Sequence, residues 1–161
     1  DYPENAVKTM HDVCLETEKN PIAKTSHHRL HEQFEGVDET IAMSSMYAAN
    51  HLGVRVVAAL TETGKTAMWM SRMSSNISIF AMSDNVQTLR KVTLYRGVYP
   101  CGIEKSNAND WSQVNGKVID TLIKNEVVKD GDLVILTKGM YKDESGGTNM
   151  MKILRVGDTN Y

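Results

Sequence analysis

Val54-Arg55-Val56-Val57-Ala58-Ala59-Leu60 is a nearly continuous run of β-branched and small apolar residues, and Thr61-Glu62-Thr63-Gly64-Lys65-Thr66 follows it directly. So short and apolar a run fits a strand buried on both faces, as in the middle of a parallel sheet. Gly64 to Met73 then takes a helical pattern. Outward from there the alternation repeats. Ser78 to Met82 reads as a strand, Asn85 to Lys91 as a short helix and Val92 to Tyr99 as a strand. Trp111 to Asn125 reads as a helix, with Leu133 to Thr137 and Asn149 to Val156 as the last two strands. Strands alternating with helices predict an α/β fold, a largely parallel sheet with helices on both faces. The connection Lys138 to Gly147 carries no helical pattern and is unsuited to a parallel crossover. The final strand is therefore expected antiparallel, at an edge.

Upstream, Pro3 suits the first turn of a helix, where its missing N–H costs nothing. Ala6, Val7, Met10, Val13, Cys14 and Thr17 recur at helical spacing, with Lys8, Asp12, Glu16 and Lys19 on the other face, and Asn20-Pro21 stops the pattern. Residues 21 to 36 are polar and irregular. Asp38 to His51 reads as a second helix closed near Gly53, apolar around most of its circumference and so buried on more than one side.

The 161 residues suffice for one domain with one core. A hydrophobic content of 41% with 24% charged residues excludes disordered and fibrous classes. The formal net charge of -2 gives no general attraction to nucleic acid or to an anionic membrane, so any anion site has to be local. No apolar run reaches the roughly twenty residues of a membrane span, and the first residues carry no secretory pattern. Cys14 and Cys101 lie far apart and read as two reduced thiols.

The chemistry concentrates in Thr61 to Thr66, where a buried strand gives way to a helix. A helix's first turn offers free N–H groups and about half a positive charge. Gly64 lets backbone approach a ligand closely, the hydroxyls of Thr61, Thr63 and Thr66 can each donate, and Lys65 adds a cation. The set suits one phosphate group. Thr61 or Thr63 as a plain helix cap, with Gly64 as a turn residue, remains the competing reading. A nucleotide P-loop is excluded: its first glycine would fall at Ala59, inside the strand. A second loop, Lys138 to Asn149, is rich in glycine and hydrogen-bonding groups, with Tyr141 able to stack and Lys142 to pair with an anion. Ligands of open α/β sheets sit at the carboxyl ends of strands where strand order reverses. If the first and fourth strands are neighbours, both loops rise beside that crevice; the alternative is a plain surface hairpin.

The segments YPENAVKTMHDVCLETE, VVAALTETGKTAMWMSR, IFAMS, LYRGVYP, GDLVILTKG and GGTNMMKILRV, in that order, resemble the C-terminal domain of pyruvate kinases, bacterial type. HHRLHEQF and IAMSSMYAANHL are similar to an isoform group whose activators are sugar monophosphates and AMP. The resemblance covers nearly the whole chain. It implies a single domain over residues 1–161, a three-layer α/β/α sandwich with five strands in the order 3-2-1-4-5, the last antiparallel. Residues 1–20 would be the helix leading in from a catalytic barrel.

The resemblance further implies an effector phosphate held by Thr61, Glu62, Thr63, Gly64, Lys65 and Thr66. The loop with Gly139, Tyr141, Lys142, Ser145, Gly146 and Gly147 would roof it. Trp111 and Lys117 fall near positions that hold a second phosphate in fructose 1,6-bisphosphate-regulated forms, with spacing that differs by a residue. Glu62 stands where some bisphosphate-responsive animal forms have Lys, and the roofing loop lacks their Trp-Arg-Pro. A monophosphate is therefore favoured. The parent reaction moves a phosphoryl group from phosphoenolpyruvate to ADP. Its magnesium and potassium sites belong to the barrel, so no cofactor and no catalysis are expected here. A cytoplasmic location and a tetramer joined through the 149–156 edge strand are also implied. The rivals are an assembly module that binds no ligand and a stand-alone sugar-phosphate or nucleotide sensor.

His27 and His31 share an i, i+4 spacing with His28 between them, but no carboxylate or thiol completes a metal set, so none is expected. The ten methionines read as core and interface filler, Trp69 as packing, and Asp38 and Glu39 as carboxylates favourable to a helix start.

Overall fold

The computed structural model describes residues 2–20, 33–104, 111–139 and 147–158, the side chains of 111 and 112 excepted. The elements run α1 (Pro3–Glu18), α2 (Val37–Leu52), β1 (Val56–Leu60), α3 (Lys65–Ser71), β2 (Ser78–Ser83), α4 (Val86–Val92), β3 (Val98–Gly102), α5 (Trp111–Lys124), β4 (Leu133–Gly139) and β5 (Thr148–Arg155). The strands form one sheet in the order β3-β2-β1-β4-β5. β1 pairs in parallel with β2, Val56 opposite Ser78, and with β4, Val56 opposite Val134. β2 and β3 are parallel too, whereas β4 and β5 run antiparallel from Leu133 opposite Arg155 to Gly139 opposite Thr148. The last strand does run antiparallel at an edge, as the lack of a helical pattern after Lys138 predicted.

Val56 to Leu60 of VRVVAAL is central because strand side chains alternate between faces and here both faces are apolar. Val57 and Ala59 join Ile79, Ala81 and Ile135 in a core capped by Ala42, Met46, Ala67 and Met70 of α2 and α3. Val56 and Ala58 join Val134 and Leu136 in a second core covered by Val118, Ile119 and Leu122 of α5. Helices thus cover both faces. Trp69 is partly buried against the first core, as its place in AMWM suggested.

One expectation requires correction. Val92 to Tyr99 is not one strand: α4 runs to Val92, which is buried one helical turn after buried Thr88, and β3 starts only at Val98. Gly97, at φ 69°, makes the turn between them. Apolar density alone could not separate a helix end from a strand start here. The helix α1 is formed as expected, but none of its residues is buried, and Val7 and Met10 keep 67% and 68% of their surface. Periodicity identifies an amphipathic helix without naming what covers it. An ion pair of 3.5 Å, Arg96 Nε to Glu18 Oε1, links its far end to the loop before β3.

Candidate functional site

The turn between β1 and α3 begins where the sheet ladder ends: Thr61 N–H donates to the Met82 carbonyl at 3.0 Å. Gly64 is left-handed, φ 78° and ψ 2°, and caps α3. Its N–H donates to Thr61 Oγ1 at 3.0 Å, so that hydroxyl shapes the turn as an acceptor and keeps its own hydrogen to donate. A Cβ on Gly64 would lie 2.8 Å from Val92 Cγ1. Glycine is thus required by conformation and by packing, and the cap is Gly64 itself, with no side-chain cap bond from Thr61 or Thr63.

The carbonyls of the turn face α4: Thr88 Oγ1 donates to Glu62 O, and Lys91 Nζ donates to Thr63 O at 3.3 Å. In a trans peptide the N–H points opposite its C=O. The Thr63 amide, which shares its peptide with the Glu62 carbonyl, is therefore turned away from α4. Among the described residues, no hydrogen bond uses the N–H of Glu62, Thr63, Lys65 or Thr66. The first helical bond of α3 is Met68 N–H to Gly64 O at 2.9 Å. Turn and first helical residues together leave a short arc of unspent donors.

The side chains are less free than the sequence suggested. Thr66 is buried, and its Oγ1 lies 2.6 Å from Thr148 Oγ1 at the start of β5. Lys65 Nζ lies 2.9 Å from Oδ2 of Asp38, on the first turn of α2. Asp38 and Glu39 are both buried, beyond their expected role as helix-start charges. Glu62 is exposed.

At the second loop, Gly139 and Gly147 form a neck: a Cβ on Gly139 would lie 2.6 Å from the Gly147 carbonyl oxygen. Because β1 and β4 are neighbours, the neck and the Thr61 turn both stand at carboxyl ends of adjacent strands, on the switch-point side of the sheet. Tyr141, Lys142, Ser145 and Gly146 lie outside the described residues, as do His27, His28 and His31. Trp111 opens α5. Lys117 is engaged with Glu104, 3.1 Å to its carbonyl and 3.4 Å to Oε2. Among the described residues no cluster of three metal-binding side chains occurs, and no helix is long and apolar enough to cross a membrane.

The sequence reading missed Thr88 and Lys91, and gave Lys138 and Thr148, at the ends of the second loop, no role of their own. Lys138, at the end of β4, is buried and donates to Asn115 Oδ1 of α5 at 2.8 Å. Burial, reinforced by nearby Lys152, pulls its ammonium down to about 8. A lysine breaking the apolar run of a central strand, LVILTKG, was the available signal.

The family model described as "Pyruvate kinase, alpha/beta domain" matches residues 39–154. Similar proteins include a pyruvate kinase of Buchnera aphidicola subsp. Baizongia pistaciae, 42% identical over 156 residues, covering 96% of this chain and 32% of that protein. Pyruvate kinase II of Salmonella typhimurium is 44% identical, with the same coverage of 96% and 32%. A pyruvate kinase of Haemophilus influenzae is 41% identical over 140 residues, 86% of this chain and 29% of that protein. The chain therefore spans about a third of the length of these relatives. Sheet order, strand directions and this similarity agree: the chain belongs to the pyruvate kinase α/β domain family.

Proposed function

We propose that this domain is the regulatory unit of a cytoplasmic, glycolytic pyruvate kinase, and that the turn from Thr61 to Thr66 takes the phosphate of a sugar monophosphate or AMP. The observation that carries the reading is the arc of unspent amides around Gly64, set beside the neck of the Gly139–Gly147 loop. Backbone donors in a fixed turn fit an oxyanion at little reorganisation cost. Exposed Glu62 adds a negative charge at the rim and disfavours a second phosphate there. Phosphoryl transfer from phosphoenolpyruvate to ADP, with its metal ions, belongs to the part of the longer relatives that this chain does not span. The domain alone is inert. An effector joining the two loops favours one placement of the domain against the catalytic part and neighbouring subunits.

Thermal unfolding with ribose 5-phosphate, AMP, glucose 6-phosphate and fructose 1,6-bisphosphate tests this. A monophosphate at a hundred times its Kd adds about 2.7 kcal/mol of stability, and Thr63→Ala reduces the gain. No gain from any of the four in a folded sample removes the sensor role.

Assembly is a second role, favoured by the uncovered apolar residues of α1 and by the edge position of β5. It brings subunits together as a tetramer through residues 149–156. Sedimentation equilibrium over a hundredfold concentration range checks it: one monomeric mass throughout refutes self-association of the isolated domain.

A further inference from the structure

Lys65 and Asp38 belong to different elements, and their ion pair is unequal: the lysine side chain keeps 45% of its surface and the aspartate 7%. Although Nζ stands 2.9 Å from Oδ2, that oxygen has no directed hydrogen bond among the described residues. The contact is held by charge and not by an aligned donor. Asp38 is also closely confined. A Cβ on Gly36 would lie 2.5 Å from its Oδ1, and Thr40 Oγ1 donates to the Gly36 carbonyl at 3.0 Å, closing that turn. A carboxylate is thus buried at the amino end of α2, countered by the positive end of the helix dipole and by one half-exposed ammonium.

Lys65 also adjoins the unspent amides of Gly64's turn, on a flexible stem with rotatable donors. We propose that Asp38 is an internal competitor for the anion: it holds Lys65 while the turn is empty and yields it to an arriving phosphate. Occupancy of the turn is thereby felt at the amino end of α2. The proposal rests on the phosphate reading above and adds what sets its affinity and where binding is transmitted. A phosphate dianion offers Lys65 more charge and more acceptors than a carboxylate. Once Lys65 leaves, Asp38 is buried without its cation, a state that costs enough to make the first turn of α2 rearrange. By linkage, the Asp38 contact and the phosphate weaken each other equally.

Titration calorimetry of the 161-residue chain with ribose 5-phosphate and with AMP tests this, using wild type, Asp38→Asn, Lys65→Met and the double variant. Asp38→Asn binds about fivefold tighter and Lys65→Met weaker by a similar factor, as expected for one partly exposed ion pair. The double variant matches Lys65→Met, because the aspartate acts only through the lysine. A merely structural Asp38 would instead change binding equally in both backgrounds. Unchanged or weaker binding by Asp38→Asn, or tightening that survives in the double variant, overturns the competition and leaves the phosphate site standing. Absence of binding to wild type removes the site and the competition with it. Should Asp38→Asn fail to fold, carbon NMR of the Asp38 carboxyl in the wild type decides. Its resonance moves on saturation, and a resonance that stays fixed while the Thr63 and Lys65 amides move refutes the exchange.

Discussion

Thr66 Oγ1 and Thr148 Oγ1 meet at 2.6 Å in a buried hydrogen bond between residues 82 apart in the chain. It joins the first turn of α3 to the start of β5, and so ties the bases of the two loops. Either hydroxyl left alone is a buried polar group without its partner. Thr66→Val and Thr148→Val should each cost about 1–3 kcal/mol in urea unfolding, whereas the double variant should cost less than their sum. Additive costs would show that the hydroxyls do not support one another.

Thr137 gives the opposite expectation for the same substitution. Its Oγ1 is buried and has no hydrogen-bond partner among the described residues. Valine has nearly the same shape and no oxygen to desolvate. Thr137→Val should raise stability by up to about 1 kcal/mol, read from the same urea midpoints. A loss comparable to that of Thr148→Val would contradict the orphaned hydroxyl.

The fold was legible where local pattern and burial coincide. Val56 to Leu60 has to be a central strand because both of its faces are apolar, and a stretch after Lys138 without helical pattern in its sequence points to an antiparallel return. The boundary at Val92 was not legible, since a buried valine serves a helix end and a strand start equally well. The site was legible in part. Gly64 and the donors around it follow from a strand–turn–helix junction. That Thr66 is spent on Thr148 and Lys65 on Asp38 depends on tertiary approach, which no local spacing encodes.

Two left-handed glycines separate conformation from packing. Gly53 closes α2 at φ 64° and a Cβ there meets nothing within 4 Å. Gly64 has a similar φ of 78°, but its Cβ would strike Val92 at 2.8 Å. Gly53→Ala should cost about 1 kcal/mol, the left-handed penalty alone. Gly64→Ala should cost about 1–3 kcal/mol more, the range for overpacking. Equal costs would mean that α4 yields freely.

The two cysteines should differ sharply toward a thiol reagent. Cys14 is exposed on α1, whereas Cys101 is buried in β3 and burial pushes its thiol up. Reactivity needs access and thiolate. Labelling of the native chain should proceed with one fast thiol, lost in Cys14→Ser, and Cys101 should react only on unfolding. Rapid labelling of both would place Cys101 outside the second core.

Lys138 makes stability depend on alkaline pH in a defined direction. Its folded value of about 8 lies below the ordinary 10.5, with burial the larger cause and Lys152 the lesser. Above pH 8 the unfolded chain holds this proton while the folded chain releases it. The unfolded state then binds more protons, so the contribution of this group to stability rises with pH until both states are neutral. Below pH 8 the buried ammonium imposes a constant cost. Lys138→Met removes that cost together with the bond to Asn115. Wild type should therefore gain about 1–2 kcal/mol on Lys138→Met between pH 7 and 10.5, the full shift discounted for solvent screening. A difference that stays flat over this range would mean that the ammonium reaches water at the end of β4.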